Sequence, residues 1–207
     1  MMFTDRVDAG RRLGARVREV LGPSPDRLVL GLPRGGVPVA AEVARELGAS
    51  LDVLVVRKLG APSQPEVAIG AIGPDGAVLL HDHGRALDPE TLDGIRRREL
   101  AELERRVRTY RGSRGPLVLE GRRVVLVDDG IATGATALVA VQAARAHGAA
   151  EVVVAAPVAA PDARDAVAAV ADRVIVLAAP ERFWAVGEWY EDFRQTDDAE
   201  VMRLLGS

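Results

Sequence analysis

The sequence predicts an α/β protein with a parallel sheet covered by helices on both faces. Three observations predict it. Short, near-continuous runs of Val, Ile and Leu recur along the chain, as suits strands buried on both faces. Between them lie segments with apolar residues at helical spacing. The two kinds alternate, the order that a sheet with crossover helices requires. The 207 residues, 48% hydrophobic and 28% charged, suffice for one folded domain.

The elements follow in order. Residues 5–20 read as a helix, with Val7, Leu13, Val17 and Val20 on one side. Residues 27–32 read as a buried strand, and Pro33-Arg34-Gly35-Gly36 as the loop after it. Residues 37–47 form a helix that Gly48 stops, and 51–56 form a second strand. Lys58 to Pro65 has the Gly and Pro content of a loop. Residues 66–72 and 77–80 then read as a hairpin around Gly73-Pro74-Asp75-Gly76. Asp88-Pro89 supplies an N-cap and first-turn proline for a long, charged helix to about Tyr110. After Gly115-Pro116 the alternation resumes: strand 123–127, helix 134–147, strand 151–156, helix 161–171 and strand 173–177. The tail is irregular, then helical from Asp197.

Composition removes several classes of function. There is no cysteine, so disulfides, thiolate zinc sites and cysteine nucleophiles are excluded. Lys+Arg 27 against Asp+Glu 30 leaves a net charge of -3, which argues against nucleic acid and anionic membrane as partners. No apolar run has transmembrane length, and residues 1–20 lack a signal-peptide core, so the expectation is a soluble cytoplasmic protein. Lys58 is the sole lysine among the 27 basic residues. Where arginine has replaced lysine everywhere else, a surviving compact ammonium is a candidate for chemistry.

The most informative stretch is residues 124–136. An apolar strand, Val124 to Val127, ends in the adjacent carboxylates Asp128 and Asp129. Gly130, Ile131, Ala132, Thr133, Gly134, Ala135 and Thr136 follow and open a helix. A helix N-terminus with nearby glycines and hydroxyls suits a phosphate. Two carboxylates beside it would repel that phosphate, but they suit sugar hydroxyls or a divalent cation. The arrangement therefore predicts a phosphorylated sugar as ligand. Neither the Walker A nor the dinucleotide glycine pattern is present here.

This stretch resembles the phosphoribosyl pyrophosphate (PRPP) motif of type I phosphoribosyltransferases over thirteen consecutive positions. The resemblance implies a Rossmann-like core at about 24–178 and a hood at about 179–207, joined by the N-terminal helix. It also implies an inserted mobile hairpin at about 58–80. It makes 128–136 the PRPP site and Leu32 to Pro38 the pyrophosphate loop, which in that family often holds a cis peptide. It places Arg34, Gly35, Gly36, Arg57 and Lys58 at pyrophosphate, with Arg34 and Lys58 as the catalytic pair. Mg²⁺ is the implied cofactor, held by Asp128 and Asp129 mostly through PRPP and water. The implied reaction moves 5-phosphoribosyl from PRPP to a nitrogen nucleophile, a nucleobase, and releases pyrophosphate. The implied assembly is a homodimer.

Ala132 stands where hypoxanthine–guanine enzymes carry an aspartate, which argues against a 6-oxopurine acceptor. Adenine and uracil enzymes share Ala-Thr-Gly here, yet the whole chain looks more like a bacterial group named only as phosphoribosyltransferases. Five of seven aromatics, Phe183, Trp184, Trp189, Tyr190 and Phe193, fall in the hood. Phe183 and Trp184 are the base-stacking candidates; the competing reading makes these rings the hood's own core or a subunit contact. The alternative function is a non-catalytic PRPP or nucleotide sensor on the same fold, and a third is a sugar-phosphate hydrolase. His81, Asp82 and His83 lie too close in sequence to face one metal ion.

Overall fold

The computed structural model describes residues 2–62, 68–73, 76, 78–80, 82–112 and 114–206. Helix α1 spans Arg6–Leu21 and starts where the Asp5 side chain accepts from the Asp8 amide at 2.8 Å. Strand β1 (Leu28–Gly31), helix α2 (Gly36–Leu47) and strand β2 (Ser50–Val53) form the first crossover unit. Strands β3 (Arg57–Gly60), β4 (Ala68–Ile72) and β5 (Val78–Leu80) follow, then the short helix α3 (Asp82–Arg85). Helix α4 (Pro89–Arg111) is capped by Asp88, which accepts from the Thr91 amide at 2.8 Å. Strand β6 (Arg123–Val127), helix α5 (Ala135–Ala146), strand β7 (Glu151–Val158), helix α6 (Pro161–Ala168) and strand β8 (Arg173–Ala178) complete the alternation. A 3₁₀ turn (Val186–Trp189) and helix α7 (Asp198–Leu205) form the tail.

Five strands make one parallel sheet in the order β2-β1-β6-β7-β8. Alternating side chains divide its apolar content between two faces. Leu28, Leu30, Val124 and Leu126 pack towards α5 and α6, while Val29, Val125 and Val127 pack towards α1 and α2. The chain leaves β1 for β2 on one side and reaches β6 on the other, so the strand order reverses between β1 and β6. Ligands of open parallel sheets bind outside the carboxyl ends of strands at such a point. Here Gly31 is in register with Val127, and the Leu32 amide donates to the Val127 carbonyl at 2.9 Å. The loops after β1 and β6 therefore leave the sheet side by side.

Strands β3, β4 and β5 form a separate antiparallel sheet. The β4–β5 hairpin agrees with the sequence reading; β3 corrects it, since Arg57–Gly60 is a strand rather than the start of a loop. Pairing with β4, Lys58 opposite Ala71 and Leu59 opposite Gly70, overrides the local composition. Leu59, Ile69 and Ile72 are buried against Ile95, Leu103 and Tyr110 of α4 and Val201 and Leu205 of α7. The strands are thus anchored; residues 63–67, 74, 75 and 77 of the expected mobile segment lie outside the described residues. Asp82–Arg85 forms a single helical turn after β5. His81 lies outside the described residues, as do the side chains of Asp82 and His83.

The N-terminus and the tail close on each other. Phe3 pairs with the tail through its amide to the Trp189 carbonyl and its carbonyl from the Glu191 amide, both 2.8 Å. Phe3, Ala9 and Tyr190 bury together with Trp189 and Phe193 alongside. No helix among the described residues is long and apolar enough to cross a membrane.

Candidate active site

Strand β6 is apolar to its last residue, so Asp128 and Asp129 fall where the chain leaves the sheet. The Asp129 amide donates to Asp128 Oδ1 at 2.9 Å, which turns the first carboxylate back over the loop. Arg6 of α1 reaches Asp129 Oδ2 with Nε and Nη2, each at 2.8 Å. The Tyr190 hydroxyl donates to the Asp129 carbonyl at 2.6 Å. The two carboxyl groups also hydrogen-bond to each other. Burial pushes Asp128 well above the usual carboxylate range, and the adjoining Asp129 charge pushes it further. Burial also raises Asp129, against the opposing pull of Arg6.

The loop after β1 lies directly against this pair. A Cβ on Gly35 would overlap Asp129 Oδ2, and one on Gly36 would stand 2.5 Å from the Val127 carbonyl oxygen. No other residue type fits there. The Pro33–Arg34 peptide is cis. Arg34 is about one-third exposed, with Nη1 3.6 Å from Asp198 Oδ1 of α7.

On the other side, the 130–136 loop is pinned to the sheet. The Ile131 amide donates to the Val158 carbonyl at 2.9 Å and the Ala160 amide donates to the Ile131 carbonyl at 2.8 Å. Gly134 takes a positive φ of 77° at the N-cap of α5, and the Ala135 amide donates to Thr133 Oγ1 at 3.4 Å. Asp128 and residues 130–137 line a cavity of about 140 Å³ there. Thr133, Ala135 and Thr136 also border a second cavity of about 240 Å³, which Lys58 of β3 lines from across the gap. Thr133, Ala135 and Thr136 are thus shared by two cavities, one bordered by Asp128 and the other by Lys58. That combination can hold a phosphate at the helix end and hydroxyls at the strand end.

The structure separates two residues that the sequence puts together. Neighbours on a strand face opposite sides. Lys58 faces α5 and the cavity, whereas Arg57 turns to α4, where its Nε and Nη2 meet Glu99 Oε2 at 3.0 and 2.5 Å. Arg57 is held as a structural ion pair rather than aimed at the cavity. The hood aromatics also divide. Tyr190, Phe193 and Trp189 belong to the small core with Phe3, and Phe193 carries the Arg6 guanidinium at 4.0 Å from its ring centre. Trp184 stands 84% exposed and Phe183 is half-buried. Both precede Val186, which packs so closely on Gly130 that a Cβ there would overlap it.

Sequence reasoning missed Arg6, Tyr190 and Asp198. Arg6 is one arginine among many, and its partner lies 123 residues away. The only available signal was its place in the first turn of a helix the hood reading had already drawn in.

The phosphoribosyl transferase domain model matches residues 4–192. The chain belongs to the phosphoribosyl transferase domain family. It is 53% identical over 207 residues to a Mycobacterium tuberculosis H37Rv protein named "Putative phosphoribosyl transferase Rv0571c", covering 99% of this chain and 46% of that one. The chain thus spans about half the length of the relative it matches. The crystal structure of TT1426 from Thermus thermophilus is similar with a TM-score of 0.90 and 44% identity, covering 99% of this chain and 98% of that one. AQ2163 protein from Aquifex aeolicus, at 14% identity and TM-score 0.53, covers 88% of this chain and 78% of its own and shares the fold. Within the phosphoribosyl transferase family, the α/β fold expected from the motif at 124–136 is the one observed.

Proposed function

We propose that this phosphoribosyl transferase moves 5-phosphoribosyl from PRPP to a nitrogen nucleophile, a nucleobase other than a 6-oxopurine. One observation carries the reading: the Asp128–Asp129 pair stands between the 33–36 loop, which touches it at Gly35 and Gly36, and the cavity at the start of α5. The spacing suits a ligand with an anion at each end and a vicinal diol between.

In this reading the 5-phosphate sits on the amides of residues 133–136 with the Thr133 and Thr136 hydroxyls. Asp128 and Asp129 accept from the two ribose hydroxyls. Arg34, the backbone of Gly35 and Gly36, and Lys58 meet the pyrophosphate. The anomeric carbon–oxygen bond breaks with its electron pair leaving on pyrophosphate, and the acceptor nitrogen forms the new bond. Fixed cations at the departing group stabilise the charge that grows there, and the rigid cradle aligns the two reactants. Phe183 and Trp184 are the stacking surfaces for a flat acceptor.

The family implies Mg²⁺. The described residues include no cluster of three or more His, Asp or Glu able to hold an ion alone. Asp128 and Asp129 would hold the ion mostly through PRPP and water, since hard carboxylate oxygens suit a divalent cation. When bound, it neutralises pyrophosphate charge. Ala132 leaves no carboxylate at the position that would serve a 6-oxopurine, so guanine and hypoxanthine are poor acceptors. A cytoplasmic homodimer is the proposed working form, and sedimentation of the purified chain tests its second half.

Pyrophosphate release across a nucleobase panel, with Mg²⁺ and an acceptor-free control, tests the reading. Base-dependent release supports it. Efficient GMP or IMP synthesis refutes the exclusion of 6-oxopurines, and release without any base replaces transfer by hydrolysis.

A further inference from the structure

We propose that Asp198 and Tyr110 are positioning residues that hold Arg34 for the leaving pyrophosphate, so that the tail helix sets the grip of the loop after β1. The inference rests on the transferase reading above.

Arg34 has one partner among the described residues, Asp198, with Nη1 3.6 Å from Oδ1. This is an ion pair that leaves Nε and Nη2 uncommitted. The charge pair draws the guanidinium towards α7 while its remaining donors can meet an anion. Asp198 is the first residue of α7 but is not its cap. Asp197 does that work by accepting from the Glu200 amide at 2.7 Å. The Asp198 carboxylate instead accepts from the Tyr110 hydroxyl at 2.8 Å, on the same oxygen that faces Arg34.

Tyr110 is 2% exposed, near the end of α4. A buried phenol needs an acceptor, and Asp198 is one. Burial, and then the bond to Asp198, pushes the phenol up to about 12, so it remains a donor across the physiological range. The carrier of Asp198 is itself fixed. Val201 and Leu205 of α7 are buried against α4 and the inserted sheet, and Arg114 donates to the Leu205 carbonyl. The chain of contacts therefore runs from a rigid helix–helix junction, through one carboxylate oxygen, to the loop arginine. Helix α7 also lies beyond residue 192, where the family match ends.

Charge and position make opposite predictions. If Asp198 acted only through its charge, neutralising it would strengthen anion binding. If it positions Arg34, neutralising it weakens binding. The test is calorimetric titration of pyrophosphate with Mg²⁺ into wild type, Asp198→Asn, Tyr110→Phe, Arg34→Ala and the Arg34→Ala/Asp198→Asn double variant, each first checked for folding by circular dichroism. Asp198→Asn is expected to bind about three- to fivefold more weakly, the scale of a partly exposed ion pair, and Tyr110→Phe about two- to threefold. Asp198→Asn should cost nothing further once Arg34 is gone. Unchanged or tighter binding by Asp198→Asn, or an equal loss in the Arg34→Ala background, overturns the proposal. Should Asp198→Asn not fold, unchanged binding by Tyr110→Phe overturns it in the same way. An Arg34→Ala variant that binds as wild type does also overturns the proposal, whereas a wild type that ignores pyrophosphate brings down the transferase reading instead.

Discussion

Asp128 and Asp129 are adjacent in sequence yet live under different electrostatics. Arg6 compensates Asp129, whereas Asp128 faces burial and its neighbour's charge together. The native value of Asp128 lies above its unfolded value, so the folded state holds the extra proton between the two. Its contribution to stability falls as pH rises through that window. Asp128→Asn should therefore melt about 2–4 °C higher at pH 7, the shift that ~1 kcal/mol produces in a chain of this size. A lower melting point would contradict the electrostatics. Arg6→Ala has the opposite sign. It leaves Asp129 buried and unpaired, at a cost of about 3 kcal/mol, read as a lower urea midpoint. The two acids were legible in the sequence because an apolar strand runs straight into them. Arg6 was not, because nothing local separates it from the other arginines and the pairing exists only after the chain ends close.

At the scale of elements, two loops and one strand build the site. The loop after β1 approaches so closely that Gly36→Ala would drive a methyl group into the Val127 backbone carbonyl. That substitution should destabilise the fold by about 1–3 kcal/mol and weaken PRPP binding at least tenfold, with melting and calorimetry as the two readouts. Strand β3 presents Lys58 to the cavity. Lys58→Ala should lower turnover by about a hundredfold with a smaller change in PRPP affinity, because its charge matters most as pyrophosphate departs. Unchanged turnover would remove Lys58 from the mechanism. The strand itself was hidden in the sequence. Arg57-Lys58-Leu59-Gly60 has one buried apolar side chain, and only pairing with β4 makes it extended. For the same reason Arg57 and Lys58 looked like one basic pair, although alternation sends them to opposite faces.

For the whole molecule, topology does the positioning. The alternation of apolar strands and helices gave the parallel sheet correctly, since strands buried on both faces declare themselves by composition. Strand order did not follow from composition, and it is the order that places β1 beside β6 and brings residues 33–36 against 128–129. The closure of residues 3–6 on residues 186–194 was legible only as a cluster of aromatics, whose division into a core and an exposed pair needed three dimensions. The proposed site thus draws on the first residues, both central loops, the inserted sheet and the tail.

The most direct test of that site is calorimetric titration of PRPP, with Mg²⁺, into wild type and Asp128→Asn. Because the variant is expected to be the more stable protein, lost affinity cannot be ascribed to unfolding. Binding by wild type and at least tenfold weaker binding by a variant that melts higher is the predicted result. Equal affinity in the two, or no binding by folded wild type, would contradict the assignment of Asp128 and Asp129 to the ribose of PRPP.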